Sequence, residues 1–206
     1  MRIDMIRKVT FVAAVAGVSL LLAGMLLGQE STAPSSGPKD SAATSASSPM
    51  TDAHFAKEAA AGGMAEVKLG QLAQEKGSSE TVKSFGQKMV QDHSEANEKL
   101  KGVAGEQKIK LPTTLTKTDQ AAYDRLSNLS GDAFDKAYAR DMVSDHVKDI
   151  AAFKKEATGG KNEAVKSFAS ETLPTLETHL KMAHEMARAV GVSTAMKHTR
   201  SANTNQ

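Results

Sequence analysis

A helical spacing of apolar residues runs through four long stretches between residues 51 and 191, and it is the pattern that most constrains the fold. Two of these stretches contain the same five-residue motif, Met-Val-x-Asp-His, which ends at His93 in one and at His146 in the other. No period-two alternation of the kind that indicates a strand interrupts the stretches. The sequence therefore predicts an all-α domain whose helices each bury one face.

Capping residues and glycines divide this region into four long helices. Their predicted ends are marked by Thr51 or Asp52, Gly77, the Ser78–Ser79 pair, Asp132, the Gly159–Gly160 pair and Gly191. A loop and a short helix carrying Tyr123 and Leu126 connect the second long helix to the third, and Pro174 is expected to kink the fourth. Short turns within each pair of helices and one longer connection between the pairs predict a ferritin-like antiparallel four-helix bundle with one crossover connection.

The predicted domain spans residues 51–191, and the residues before and after it differ from it in composition. Residues 1–28 combine a basic start with an uncharged, mostly apolar run, which predicts a cleaved signal peptide or a retained N-terminal membrane anchor. Both alternatives place the rest of the chain outside the cytoplasm, in the periplasm or cell envelope, with membrane contact only through an uncleaved first segment. Residues 29–50, rich in Ser, Ala and Pro, predict a disordered linker, and residues 192–206 predict a flexible polar tail.

Composition excludes several classes of function. The chain has 26 basic and 24 acidic residues, scattered along the helices without a basic stripe, so nucleic-acid binding is not expected. It has no cysteine, which excludes disulfides, thiol catalysis, zinc fingers and cysteine-ligated iron–sulfur clusters.

One ionisable side chain falls on the inward face of each long helix: Glu66, His93, His146 and His179. Counted from the turns at about 1.5 Å per residue, the first three lie at similar heights. His179 lies about a turn further along its helix, unless a kink at Pro174 corrects its height. We therefore expect three of these side chains to converge, with His179 as the uncertain member.

Three interpretations of this set remain open. A carboxylate with two or three imidazoles suits a transition-metal site for zinc, iron or copper, and Met89 and Met142 would add thioethers that suit Cu(I). Alternatively, Glu66 accepts hydrogen bonds from the two nearest histidines in a buried network without metal, and the methionines only fill the core. In the third interpretation, the histidines lie at the edge of the apolar faces and contact solvent.

Four stretches of the chain carry a resemblance to a known family: Phe55–Val67, Phe85–His93, Phe134–Phe153 and Thr172–Leu180. Together they resemble a large bacterial family of exported domains of unknown function, which is grouped with ferritin-like folds and often labelled as outer-membrane proteins. The resemblance covers roughly residues 51–190. It implies the helical fold and export, and it implies no established activity.

The sequence departs from the di-iron enzymes of the ferritin-like fold. Those enzymes carry Glu-x-x-His on two helices, whereas Val90, Val143 and Leu176 stand three residues before the histidines of this chain. A redox enzyme is therefore the least favoured function, and no catalytic residue is predicted. The sequence favours a non-enzymatic envelope protein that binds a transition metal, in metal handling or stress protection. The alternative is a structural or protein-interaction module that contacts another envelope protein and holds no metal.

Overall fold

A computed structural model describes residues 51–193 of the chain. This part of the chain contains no strand and folds into five α-helices: α1 (Asp52–Lys76), α2 (Glu80–Glu106), α3 (Lys117–Ser127), α4 (Gly131–Gly159) and α5 (Glu163–Ala189). The all-α prediction is confirmed. None of these five helices is long and apolar enough to cross a membrane. The predicted leader at 1–28, the linker at 29–50 and the tail beyond residue 193 lie outside the described residues.

Side-chain caps begin four of the five helices. In each case a side-chain oxygen of the residue before the helix accepts a hydrogen bond from a backbone N–H in the first turn, and the capping residues are Thr51, Ser79, Thr116 and Asn162. At the other end, α5 stops where Gly191 takes a φ of 74°, a left-handed conformation that favours glycine. Val192 follows it and is buried against the core. Pro174 lies inside α5, which continues through it.

The helices form two hairpins, α1–α2 and α4–α5, each joined by a three-residue turn. α1 packs beside α4 and α2 beside α5, while α3 crosses between the hairpins and packs on α1 and α4. A carboxylate of each hairpin holds the turn of the other: Asp135 accepts from the backbone N–H groups of residues 78–79, and Asp52 accepts from those of residues 161–162. Asp135 lies 83 residues after Asp52, and residues 161–162 lie 83 residues after residues 78–79. The two hairpins therefore repeat one another.

α1 and α2 approach each other closely because both have glycine at the contact. A Cβ atom on Gly70 would lie 2.6 Å from the carbonyl oxygen of Gly86, and a Cβ on Gly86 would lie 2.7 Å from that of Gly70. A Cβ on Gly63 would overlap the side chain of Asn97. Real Cβ atoms essentially never approach so closely, so larger residues at Gly70 or Gly86 would force the helices apart, whereas at Gly63 the Asn97 side chain would have to move.

The buried apolar side chains fall into two clusters. The larger side chains of one are Phe85, Met89, Phe134, Tyr138 and Met142, and those of the other are Phe55, Leu100, Phe153, Phe168 and Leu176. Every long helix contributes to both clusters, and between its two contributions each carries one buried ionisable residue. The interior therefore has a polar layer between two apolar ones.

Candidate metal centre

The polar layer takes one side chain from each long helix, and the helix ends explain why they meet. Glu66 lies ten residues before the end of α1 and His93 thirteen after the start of α2; His146 lies thirteen before the end of α4 and His179 sixteen after the start of α5. The offset is three residues in both hairpins, or about 4.5 Å of helix rise. A histidine side chain can bridge this distance, and His179 joins the layer with the others.

The three histidines form a compact buried group. One ring nitrogen of each lies within 4.8 Å of one ring nitrogen of each of the other two. The ring centroids are 5.9 Å apart for His93 and His146, 5.2 Å for His93 and His179, and 5.4 Å for His146 and His179. Their exposed fractions are 6%, 0% and 1% for His93, His146 and His179. The interpretation in which these histidines contact solvent is wrong, because each hairpin covers the histidine-bearing face of the other.

One nitrogen of each ring is held by a group outside the cluster. The Nδ1 atom of His93 lies 2.9 Å from Oε2 of Glu66, and Nδ1 of His146 donates to the carbonyl oxygen of Met142 at 2.9 Å. Nε2 of His179 donates to Oδ2 of Asp92 at 2.7 Å, and Lys88 contacts the same oxygen at 2.8 Å. These contacts fix the orientation of all three rings.

The other nitrogen of each ring has no hydrogen-bond partner. These atoms are Nε2 of His93, Nε2 of His146 and Nδ1 of His179, and Oε1 of Glu66 shares this property. Oε1 of Glu66 lies 3.5 Å from Nε2 of His146, which is too long for an effective hydrogen bond. The predicted network is therefore half formed: Glu66 bonds to His93 and only approaches His146.

Burial keeps the imidazoles neutral. Removal from water lowers the pKa of His93 to about 4 and that of His179 to about 4, and it also lowers the pKa of His146. For Asp92, burial opposes ionisation, but hydrogen bonds from Lys88 and His179 outweigh it and lower the pKa of that carboxyl. At neutral pH each histidine therefore presents a lone pair, which is the form that binds metals.

The pKa values of two carboxyl groups near the histidines, those of Glu66 and Asp149, are raised rather than lowered. Burial raises the pKa of Glu66 to about 7, although the His146 ring lowers it in part. Burial also raises the pKa of Asp149 to about 8, and the neighbouring charge of Glu66 raises it further. The two groups discourage each other's ionisation, so a cation placed near them would favour the ionised form of both.

The methionines predicted as copper ligands, Met89 and Met142, are fully buried. Both belong to the apolar cluster that contains Phe85 and Tyr138. The backbone of Met142 serves the site, since its carbonyl oxygen holds His146. Ligation of Cu(I) by either thioether stays a prediction.

Asp92 and Asp149 belong to the surroundings of the site, although the sequence singled out neither as a site residue. Asp92 follows the motif pattern as the residue before His93, yet it bonds to His179 on another helix. Asp149 stands three residues after His146, which places it on a neighbouring part of the same helical face. It also lies 83 residues after Glu66, the spacing that relates the two hairpins.

Two solved structures are similar in fold. A DUF305 protein from Streptomyces coelicolor that is described as secreted matches with a TM-score of 0.61 and 13% sequence identity, over 73% of this chain and 99% of that one. A DUF305 fragment from Deinococcus radiodurans matches with a TM-score of 0.58 and 14% identity, over 66% of this chain and 95% of that one. At these identities the likeness concerns the fold alone.

No curated protein matches the chain. The sequence profile of DUF4142, a domain of unknown function, matches residues 37–186, which is more than half of the chain. This match confirms the predicted membership in a bacterial family of domains of unknown function. The chain belongs to the DUF4142 family.

Proposed function

We propose that the protein is an exported, non-enzymatic metal-binding protein of the cell envelope, in which His93, His146 and His179 hold one transition-metal ion. The observation that supports this function is a set of three buried imidazoles, each with one nitrogen held in place and the other without a partner. Buried polar atoms without partners cost about 1–3 kcal/mol each. Bonds to a metal ion would offset this cost for all three rings at once.

The geometry needs only a small adjustment to bind a metal. Three atoms that lie within 4.8 Å of one another surround a point about 2.8 Å from each. Zinc–imidazole bonds are about 2.0–2.1 Å long, so each ring would move inward by less than about 1 Å. Three neutral imidazoles suit zinc, iron or copper. Oε1 of Glu66 is the nearest candidate for a fourth ligand, or for the acceptor of a hydrogen bond from a metal-bound water.

The fold and the location that accompany this function are also proposals. The two antiparallel hairpins, joined through α3, support a ferritin-like four-helix bundle as the scaffold of the site. The basic and apolar run in residues 1–28 supports export. The similar Streptomyces coelicolor protein is described as secreted, which agrees with this location. A metal site in the envelope would serve metal handling or protection against metal stress.

A structural or protein-interaction module without metal is the second candidate, and one observation favours it. A cavity of about 30 Å³ beside Glu66 and His93 is large enough for one water molecule. Such a water would satisfy some of the unpartnered atoms without any metal. The outer helix surfaces would then carry the function by contacting an envelope partner.

Metal content and thermal unfolding separate the two candidates. The protein is purified without a histidine tag, stripped with chelator and titrated with Zn(II), with Fe(II) under anaerobic conditions and with Cu(I). We expect one ion per chain and a melting temperature raised by several degrees, because an ion present at about 100 times its Kd adds roughly 2.7 kcal/mol. His146→Gln and His179→Gln should abolish both effects, while His184→Gln, on α5 but outside the cluster, should keep them. Failure of all three metals to bind or stabilise the protein would leave the structural module as the function.

A further inference from the structure

The buried position of the three histidines raises the question of how an ion reaches them. Their exposed fractions of 6% or less leave almost no contact with solvent. An ion bound there must pass between two helices or wait for the helices to separate. The two hairpins leave a cleft on each side: one between α1 and α4, which α3 also lines, and one between α2 and α5.

The α1–α4 cleft has a volume of about 690 Å³ and is strongly acidic. Six acidic side chains line it against two basic side chains, Arg125 and Lys148. Both basic groups are already paired with carboxylates of the cleft, Arg125 with Asp141 and Lys148 with Asp145. Low-dielectric walls that carry charge of one sign concentrate the field in such a cleft and attract ions of the opposite sign.

The inner end of this cleft meets the histidine cluster. Glu66 lines the cleft with only 6% of its surface exposed, and its Oε1 atom has no hydrogen-bond partner. Glu66 and Asp149 also line the internal cavity of about 30 Å³, together with His93. The two carboxylates therefore border both the solvent-filled cleft and the interior.

The α2–α5 cleft is also lined by acidic residues, four of them, but it differs at its inner end. Its volume is about 770 Å³, but neither Glu66 nor any of the three histidines lines it. Its residue closest to the site is Asp92, which is occupied by His179 and Lys88. The lysine places a positive charge where an entering cation would have to pass.

We infer that the α1–α4 cleft is a capture and access route for a metal cation, in which Asp149 and then Glu66 pass the ion to the histidine cluster. This inference rests on the proposed function. The final site is the histidine cluster, and Asp149 is a transfer residue outside it. Asp149 lies 83 residues after Glu66, so the two acids occupy equivalent positions in the repeated hairpins. Both line the cleft.

The rate of metal loading tests this route. Wild type, Asp149→Asn and Glu171→Gln are mixed in a stopped-flow instrument with Co(II), whose absorption reports imidazole ligation, and separately with Cu(I) held by a coloured chelator. At pH 9, where the Asp149 carboxyl is ionised, Asp149→Asn should load at least about threefold more slowly at low salt, with unchanged final stoichiometry, because the steering charge is lost while the histidines remain. Glu171 lines the opposite cleft, so Glu171→Gln serves as the matched control and should load at the wild-type rate.

Ionic strength gives a second readout that a merely structural role would not produce. The difference between wild type and Asp149→Asn should shrink in high salt, where the charge is screened. Equal loading rates for these two proteins at low salt would overturn the access route and leave the metal site intact. Slower loading of Glu171→Gln alone would assign access to the other cleft. Absence of uptake by the wild type of these two metals and of Zn(II) and Fe(II) would instead refute the proposed function.

Discussion

Replacement of Gly86 by alanine tests the close approach of α1 and α2 that brings Glu66 to His93. Gly86 lies two turns before His93 on α2, and it contacts Gly70, which lies one turn after Glu66 on α1. The new Cβ atom would lie 2.7 Å from the carbonyl oxygen of Gly70, whereas ordinary contacts begin at 3.4 Å. The two helices must therefore separate by about 0.7 Å at this point, or bend by an equivalent amount.

The expected change in the free energy of unfolding is the sum of one stabilising and two destabilising contributions. Alanine favours the helical conformation over glycine by about 1 kcal/mol. Overpacking typically destabilises a core by about 1–3 kcal/mol. A shift of this size would also lengthen the 2.9 Å contact of Glu66 and His93 beyond hydrogen-bonding distance, which costs about 1–3 kcal/mol more for a buried pair. The sum is a loss of about 1–5 kcal/mol, and we expect Gly86→Ala to lower the free energy of unfolding by about 3 kcal/mol.

Gly102→Ala is the matched control, because Gly102 lies in the same helix and a Cβ atom there would meet nothing within 4 Å. It should gain up to about 1 kcal/mol from helix propensity alone. Urea unfolding of the metal-free proteins, with equal m-values, should therefore separate the two variants by about 4 kcal/mol. Equal stabilities for Gly86→Ala and Gly102→Ala would refute the close approach and the positioning of Glu66 that depends on it.

Three further predictions address buried polar groups. Tyr138→Phe should leave stability unchanged or raise it by about 1 kcal/mol, because the buried hydroxyl has no hydrogen-bond partner; a clear loss in thermal unfolding would contradict its unpartnered state. Asp135→Ala should destabilise the protein by about 3 kcal/mol, since it removes the acceptor that holds the α1–α2 turn, whereas its exposed neighbour Asp132→Ala should change stability by less than about 0.5 kcal/mol. The raised pKa of Glu66, about 7 against 4.5, means that the folded protein binds this proton more tightly than the unfolded chain. The stability of the metal-free wild type relative to Glu66→Gln should therefore fall by about 3 kcal/mol from pH 4.5 to pH 8, and a pH-independent difference would show that Glu66 is not buried as described.

The sequence predicts the helices well because their ends depend on local chemistry. A capping side chain acts on backbone groups two or three residues away, and a left-handed glycine ends a helix through its own conformational freedom. Ser79 and Gly191 are both read correctly for this reason. The four site residues follow from the same periodicity, which assigns each to the buried face of its helix.

The contacts that give the site its chemistry depend on how the hairpins pack, and a single helix carries no information about that. Asp92 is adjacent to His93 in sequence, yet it bonds to His179 because α2 and α5 lie side by side. His146 turns its Nδ1 atom to a carbonyl of its own helix, a rotamer choice that the spacing does not determine. The 83-residue repeat relates Asp149 to Glu66 in the sequence, but the position of Asp149 beside Glu66 also depends on the packing of α1 against α4.

X-ray absorption spectroscopy of the protein loaded with one equivalent of Zn(II) or Cu(I) tests the central claim most directly, because it reports the atoms bound to the ion. The account predicts three imidazole nitrogens at about 2.0–2.1 Å from zinc, with this signature lost in His179→Gln and retained in His184→Gln. A shell of carboxylate and water oxygens with no imidazole contribution, unchanged in His179→Gln, would contradict a metal site at the histidine cluster.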